Sequence, residues 1–342
     1  MSGAGRRSQL LRAPTAYWPL AGALGGLALV ATWASLLVGA VHLDVLAALN
    51  DIAHGRPSLP ALVLVQLRLP RAVLGCSVGF SLGLTGAAMQ GLLRNPLADP
   101  GVVGVSGGAA LGAVVVFYSG FAGALSLALP LGGIAGAVVA ALALYGLAGR
   151  GAGTTTLILA GVTINSFAGA LTALALNLSP NPYAAFEIMF WLMGSLTDRS
   201  LPQVWLALPL MLAGWAMLMS SAPALDALSL GEDTASSLGF DLARLRLTLV
   251  AGSALAVGSA VAVTGAIGFV GLVVPHVLRP LVGHRPGRLL LVSGFGGAIA
   301  LLCADIGVRL LPIHPELKLG VVTALVGAPF LFGLIDRLRR EA

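Results

Sequence analysis

The longest uncharged stretch of this chain constrains its fold more than any other feature. Residues 100–149 contain no Asp, Glu, Lys or Arg over 50 consecutive positions. A helix needs about 20 apolar residues to cross the hydrocarbon core of a bilayer, so the stretch is long enough for two crossings. Glycine, serine and phenylalanine at positions 119–123 mark the break between them. The stretch therefore predicts two membrane-spanning helices.

The other apolar intervals, judged by the same length rule, predict further crossings. They fall at residues 18–41, 72–93, 151–186, 200–225, 247–278, 289–308 and 318–335. The interval 247–278 is expected to hold one helix and a second, shorter one broken near Pro275. A Pro-rich turn at 179–182 follows the crossing in 151–186. With two helices in each of two intervals, the sequence predicts an all-α polytopic membrane protein with ten crossings.

A single transmembrane domain is predicted for residues 1–342. Its parts are a cytoplasmic tail at 1–17, helices one to six at 18–225, a polar cytoplasmic segment at 226–243, helices seven to ten at 244–335 and a second tail at 336–342. The uncharged stretch near the N-terminus, residues 13–43, is longer than the ~7–15-residue apolar region of a cleaved signal. We therefore expect it to remain as the first span.

Composition excludes an ordinary soluble enzyme. Only 9% of the residues are charged, against about 25% in a typical soluble domain, and 58% are hydrophobic. The net charge of +6 comes from basic residues scattered between apolar spans, which argues against a nucleic-acid-binding face. Two predicted spans carry a glycine at every fourth position: Gly75, Gly79 and Gly83, then Gly104, Gly108 and Gly112. Such glycines predict close helix packing.

The basic residues predict the orientation. An even number of crossings places both termini on one side, and most of the 19 basic residues fall there, so this side is assigned to the cytoplasm. The exceptions are Arg56, Arg68, Arg71, Arg199, Arg309 and Lys318. Among these, Arg68, Arg71 and Arg309 are candidates for a positive surface that receives an acidic partner. The alternative is snorkelling, with a local Asp305–Arg309 pair at helical spacing.

The longest polar stretch between spans runs from Asp226 to Asp241. Ser229 and Glu232 have the spacing of a capping box, and Gly239 is a suitable helix stop. A short helix here would carry an apolar face, formed by Leu228, Leu230, Ala235 and Leu238. This pattern favours a docking helix, and a solvated connector is the alternative.

Few residues are candidates for catalysis or ion transfer. Asp305, alone in an apolar span, is a candidate proton relay, and Asp99 or His276 would serve an intramembrane enzyme. The five histidines and two cysteines show no metal-ligand or disulfide spacing, so no bound metal is expected. A phosphate-binding loop needs Gly-Lys followed by Ser or Thr, but the only lysine, Lys318, follows Leu317. Any ATP would therefore be hydrolysed by a separate protein.

A series of ordered motifs resembles one family of transport proteins. The motifs are Gln66-Leu-Arg-Leu-Pro-Arg71, Gly86-Ala-Ala-Met-Gln90, Arg94-Asn-Pro-Leu-Ala-Asp-Pro100, Trp191-Leu-Met-Gly-Ser195, Leu230-Gly-Glu232, Gly268-Phe-Val-Gly-Leu-Val-Val-Pro-His276, Ala304-Asp305 and Gly327-Ala-Pro-Phe330. Their order is similar to that in the ABC-type importer permeases for iron-siderophores, haem and vitamin B12.

The resemblance implies a ten-helix subunit that forms a homodimer in the lipid of the bacterial inner membrane, with the translocation path on the two-fold axis. It also implies one cytoplasmic ATPase under each subunit, which binds ATP and Mg, and a periplasmic binding protein that delivers the substrate. No cofactor bound by this chain and no nucleic acid is implied. Haem is the expected substrate, and ferric siderophore and cobalamin are alternatives. A proton-coupled secondary transporter that uses Asp305 is the alternative of another class.

Residue roles follow from the resemblance by position. Arg68, Arg71 and Arg309 would receive acidic residues of the binding protein. The segment 226–243, hereafter the coupling segment, would seat on the ATPase through Leu228, Ser229, Leu230, Gly231, Glu232, Ala235, Leu238 and Gly239. The cytoplasmic gate would comprise Asn95, Leu97, Thr154 and Thr155, although the run Thr154-Thr-Thr156 permits a shift of one residue. Lys318 stands where the family usually has proline, and we expect its charge to join the docking patch.

Overall fold

A computed structural model of the protein describes residues 17–39, 43–120, 127–149, 153–179, 182–313 and 315–341. Within these ranges the chain forms α-helices and short helical turns, and no strand. The helices are α1 (Tyr17–Leu37), α2 (Val45–Ala53), α3 (Leu59–Leu93), α4 (Val105–Tyr118), α5 (Ala128–Ala148), α6 (Thr154–Asn177), α7 (Pro182–Leu192), α8 (Leu201–Ser220), α9 (Ala222–Leu228), α10 (Glu232–Ser237), α11 (Leu242–Thr264), α12 (Val270–Leu278), α13 (Pro286–Leu310) and α14 (Leu319–Glu341). The all-α fold class is confirmed.

Seven helices in the described part of the chain are long and apolar enough to cross a membrane: α1, α3, α5, α6, α8, α11 and α13. Shorter apolar helices stand at the three remaining predicted positions, as α4, as α12 with its following turn, and as Leu319–Gly333 of α14. The order of the predicted spans therefore matches the order of the helices. The described residues therefore contain seven of the ten predicted crossings by length and composition, and the total of ten stays a prediction.

Helices α3 and α13 form the centre of the bundle, and glycines bring their backbones together. A Cβ atom added at Gly79 would lie 2.7 Å from Cα of Ala298, and one at Gly83 would meet the carbonyl oxygen of Ser293. Gly112 of α4 makes a similar approach to the backbone of α5. Because small residues let helices meet without intervening side chains, these contacts confirm the predicted close packing.

The structure corrects the predicted break in the interval 247–278. The chain breaks at Gly265, where α11 ends, and Pro275 lies inside α12. Gly265 has φ +74°, and a Cβ atom there would collide with the carbonyl oxygen of Trp191. Glycine is therefore required at this turn both for its left-handed backbone and for the close approach.

Two helices are absent from the sequence-based prediction. Helix α2 has Asp44 as its N-cap, since the side chain accepts a hydrogen bond from the Ala47 amide at 3.0 Å. Helix α7 is apolar but has only 11 residues, too few to satisfy a rule based on crossing length. The predicted Pro-rich turn at 179–182 falls partly outside the described residues.

Candidate functional site

Polar contacts collect at the two ends of α3 and α13. Arg71 and Asp305 meet at one end, and the Gly287 amide donates a hydrogen bond to Asp226 Oδ1 at the other, with an N–O distance of 2.8 Å. Between residues 287 and 305 a helix rises about 27 Å at 1.5 Å per residue, which is close to the thickness of the hydrocarbon core. Residues predicted to lie outside thus share one end of the bundle, and those predicted to be cytoplasmic share the other.

A network of four charged residues, hereafter the arginine network, ties the first end together. It consists of Arg71, Asp305, Arg309 and Glu316. Arg71 Nη2 lies 2.8 Å from Asp305 Oδ1 and 2.7 Å from Glu316 Oε2, while Arg309 Nη2 lies 2.6 Å from Asp305 Oδ2. The Asp305 side chain is fully buried. The two carboxylates therefore balance the two guanidinium groups, and the buried Asp305 contacts both of them.

Two arginines also satisfy the carbonyl end of α1. Arg68 Nη1 donates hydrogen bonds to the carbonyl oxygens of Leu36 and Leu37, both at 2.8 Å. Arg309 Nη1 donates to the carbonyl oxygen of Ser35, also at 2.8 Å. The last carbonyl groups of a helix have no partner within it and carry a partial negative charge. These guanidinium groups therefore act as a C-terminal cap on α1.

The expected exposed patch of arginines is not what the structure contains. The Arg71 and Arg309 side chains are 13% and 4% exposed, and Arg68 is also buried. The physical reason is that carboxylates and helix-end carbonyl groups inside the bundle satisfy these side chains. The alternative, a local Asp305–Arg309 pair, is present as an i,i+4 ion pair. Docking of a partner at this end stays a prediction.

Glu316 and Thr197 belong to this end but were not predicted as site residues. Thr197 Oγ1 donates to Glu316 Oε2 at 3.0 Å. Burial raises the pKa of the Glu316 carboxyl, but the hydrogen bond and charge of Arg71, with the Thr197 hydroxyl, hold that pKa below its usual value. Arg71 and Glu316 lie 245 positions apart, so no local sequence signal could pair them.

Lys318 does not join the arginine network. Its ammonium lies over the ring of Phe190 in α7, with 5.8 Å between Nζ and the ring centroid. Its carbonyl oxygen accepts the amide of Val322 and so begins α14. Lys318 thus takes a cation–π partner in place of an acidic one.

Two short helices stand where one was expected: α9, whose last three residues begin the coupling segment, and α10, which lies within it. The predicted capping box is wrong: Ser229 donates to the carbonyl oxygen of Asp226 at 2.6 Å, and Gly231, with φ +114°, precedes Glu232 at the start of α10. Ser229 follows the last residue of α9 and is therefore used at a helix end. The predicted stop at Gly239 is confirmed, because this residue has φ +87° and directly follows α10 and its C-cap.

The predicted apolar face of the coupling segment divides into two parts. Leu228 and Ala235 are buried against the bundle, with 2% and 0% exposure. Leu230 and Leu238 are 68% and 60% exposed. Asp226, which caps α13 through the Gly287 amide, adds a polar anchor. The segment is therefore fixed to the bundle on one side and presents two leucines on the other.

The predicted gate residues lie on two neighbouring elements. Asn95 and Leu97 are exposed in the turn after α3, where the Asn95 side chain accepts the Leu97 amide at 2.9 Å. The short helical turn that follows, Pro100–Val103, ends at Gly104, where a Cβ atom would lie 3.0 Å from the Gly161 carbonyl oxygen of α6. At the start of α6, Thr155 is exposed. Thr154 instead donates a hydrogen bond to Glu232 of the coupling segment.

Asp99, a candidate for enzymatic chemistry, serves a turn. Its Oδ1 accepts the Gly101 amide at 2.8 Å and caps the short helical turn Pro100–Val103. Burial raises the pKa of this carboxyl, and the hydrogen bond from Gly101 opposes the shift. His276 lies elsewhere, with its ring against Phe330. The two residues therefore have separate local roles, which argues against a shared catalytic site.

The bundle of long apolar helices with polar groups at both ends is typical of a polytopic membrane protein. A model of the FecCD transport family matches residues 27–337. The chain belongs to this family and is the permease subunit of an ABC importer.

Relatives of known name agree with this assignment. The cobalamin import system permease BtuC of Halobacterium salinarum is 39% identical over 299 residues, covering 84% of this chain and 77% of the relative. YvrB of Bacillus subtilis, an uncharacterized ABC transporter permease, is 40% identical, covering 80% and 78%. The vitamin B12 import system permease BtuC of Citrobacter koseri is 40% identical, covering 80% and 83%.

A solved structure has the same fold. It is an inward-facing conformation of a metal-chelate type ABC transporter, with a TM-score of 0.80 and 30% identity, and the match covers 94% of this chain and 99% of that one. The family's permeases are transport subunits, and the ATPase resides on a separate partner. This confirms the prediction that the chain is not itself an enzyme. Dimeric architecture and a substrate-binding protein also follow from the family.

Proposed function

We propose that this permease imports cobalamin from a periplasmic binding protein across the bacterial inner membrane, with both termini in the cytoplasm. Cobalamin ranks first because the named relatives from Halobacterium salinarum and Citrobacter koseri are cobalamin permeases of about equal similarity. Haem, which the sequence motifs favour, and ferric siderophore are the rival substrates. Hydrolysis of ATP, bound with Mg on the separate ATPase, drives the import. This chain itself binds no cofactor.

The coupling segment is the observation that carries the proposal. It stands at one polar end of the bundle, is anchored by Leu228, Ala235 and Asp226, and exposes Leu230 and Leu238. An exposed apolar pair on an otherwise polar segment is suited to a protein partner rather than to water. We assign the ATPase subunit to this surface, so that its nucleotide cycle moves the bundle through the anchored side.

The gate is proposed at the turn after α3 and the first turn of α6. Asn95, Leu97 and Thr155 are exposed there and can line a path shared by two copies of the chain. Thr154 donates its hydroxyl hydrogen bond to Glu232, so it supports the gate residues and does not line the path itself. In the homodimer, the path lies on the two-fold axis and α6 of each copy borders it.

Docking of the binding protein is proposed at the opposite end, around Arg71. Arg71 is the more exposed of the two arginines in the network, at 13% against 4% for Arg309, and its partner Glu316 is 29% exposed. A carboxylate of the binding protein can approach Arg71 from the Glu316 side and exchange with Glu316. Arg68 and Arg309 support this surface by capping α1.

The test is uptake by liposomes that contain this chain, its ATPase and its binding protein. Accumulation of radiolabelled cobalamin, dependent on ATP and on the binding protein, is the expected result. The same vesicles are offered haem and a ferric siderophore as competitors. Efficient uptake of haem or the siderophore, with none of cobalamin, would contradict the substrate assignment and leave the importer assignment intact.

A further inference from the structure

The first residues of two helices meet at one carboxylate, Glu232. Its Oε1 accepts a hydrogen bond from Thr154 Oγ1 at 3.2 Å, and its Oε2 pairs with Arg246 Nη2 at 3.1 Å. Glu232 begins α10, Thr154 begins α6, and Arg246 lies in the first turns of α11. A single side chain therefore joins the coupling segment to the helix that carries the proposed gate.

The Thr154 hydroxyl does not bond to the backbone of its own helix but to a distant side chain. A threonine at the start of a helix commonly bonds to a nearby backbone amide. Here the N-cap of α6 is Gly153, which has no side chain to offer, and the Thr154 hydroxyl donates to a residue 78 positions away. The bond therefore joins separate elements and adds nothing to the capping of α6.

Arg246 keeps the carboxylate in place. Its side chain is 14% exposed and lines a small cleft with Tyr145, Leu157 and Val250, so it lies between α5, α6 and α11. The Glu232 side chain is 35% exposed. A nearly buried cation thus pairs with a partly exposed anion that belongs to α10.

The coupling segment is held in place on the C-terminal side of this anion. Ala235, one turn after Glu232, is fully buried, and the Asp241 side chain caps α11 through the Ala243 and Arg244 amides. A displacement of α10 must therefore either draw Thr154 with it or break the bond between Glu232 and Thr154. In the first case the start of α6 follows the coupling segment directly, through the Glu232 carboxylate.

We propose that the Thr154–Glu232–Arg246 contact transmits motion from the coupling segment to the gate end of α6. Glu232 and Arg246 are positioning residues in this arrangement, and Thr154 is the receiving group. The inference rests on the proposed function, because it assigns the ATPase to the coupling segment and the gate to the start of α6.

The test uses the complete assembly in liposomes and measures ATP hydrolysed per substrate molecule imported. Thr154→Val keeps the branched shape of the side chain and removes the donor. We expect this ratio to rise about tenfold, the order expected for one hydrogen bond to a charged group, with the hydrolysis rate unchanged. Glu232→Gln should raise the ratio similarly, and the double variant should add little, because both changes remove the same contact.

Matched controls lie on the same helices. Thr163→Val removes an exposed hydroxyl of α6 that bonds the Leu159 carbonyl oxygen one turn away, and Arg244→Met changes an exposed arginine of α11; each should keep the wild-type ratio. Thr154→Ser retains the hydroxyl and should restore coupling. A wild-type ratio in Thr154→Val, in an assembly that imports substrate, would overturn the inference and leave the proposed function standing. Failure of the wild-type assembly to import any substrate would instead refute the proposed function.

ATPase binding provides the second readout. Thr154→Val should bind the ATPase subunit with wild-type affinity, because Thr154 lies on the bundle side of the contact. A loss of ATPase binding in this variant would overturn the inference, since it would show that the hydroxyl shapes the docking surface instead of transmitting its motion.

Discussion

Replacement of Gly79 by alanine tests whether the centre of the bundle depends on direct contact between backbones. The new Cβ atom would lie 2.7 Å from Cα of Ala298, and the Gly297 carbonyl oxygen is closer still. Two carbon atoms pack at about 3.5 Å or more, so α3 and α13 must separate by about 0.8 Å at this point. Both obstacles are backbone atoms, which cannot rotate away. Overpacking of this kind costs about 1–3 kcal/mol.

The matched control is Gly307→Ala, on the last turns of α13. No atom lies within 4 Å of its added Cβ atom. Both variants gain the same helix propensity from alanine, so the difference between them isolates the packing cost. In detergent, we expect Gly79→Ala to melt about 2–6 °C below Gly307→Ala, at about 2 °C per kcal/mol for a chain of this size. Equal melting temperatures would refute the reasoning.

Three further predictions concern the two polar ends. Asp305→Asn should destabilise the protein by about 3–5 kcal/mol, measured by thermal unfolding, because it leaves two guanidinium groups without their shared anion; a wild-type melting temperature would contradict this. Glu316 has a lowered pKa, so its contribution is present above its unfolded pKa of about 4.3 and is lost as pH falls through the folded pKa. The melting temperature of the wild type should therefore fall more steeply with decreasing pH than that of Glu316→Gln. Parallel plots of melting temperature against pH would exclude a contribution of Glu316. Leu230→Ser or Leu238→Ser should weaken ATPase binding about tenfold without lowering the melting temperature, because both side chains are exposed; unchanged affinity would remove the docking role.

The order of the helices could be predicted from the sequence because the length of a crossing is set by the membrane. Uncharged intervals such as residues 100–149 resolve directly into α4 and α5. The same length rule did not predict α7, because this apolar helix has only 11 residues. The glycine spacing in α3 also gave the correct packing, since a residue without Cβ has few other uses in a buried helix.

Apart from the i,i+4 pair of Asp305 and Arg309, the side-chain partners could not be predicted, because they join distant parts of the chain. Arg71 finds Asp305 across 234 positions, and Thr154 finds Glu232 across 78. The sequence indicated that Arg71 needs a counter-charge but not that an internal carboxylate supplies it. The error at Ser229 has a local cause: the pattern Ser-x-x-Glu describes a helix start, but α9 continues to Leu228 and uses Ser229 at its end.

The central claim is that this chain conducts its substrate but does not drive it. The most direct test is accumulation of labelled cobalamin in liposomes that contain the purified chain alone, with ATP inside or with an imposed proton gradient. We predict no uphill accumulation under either condition, and accumulation once the ATPase and the binding protein are added. Concentrative uptake by the isolated chain would contradict the account.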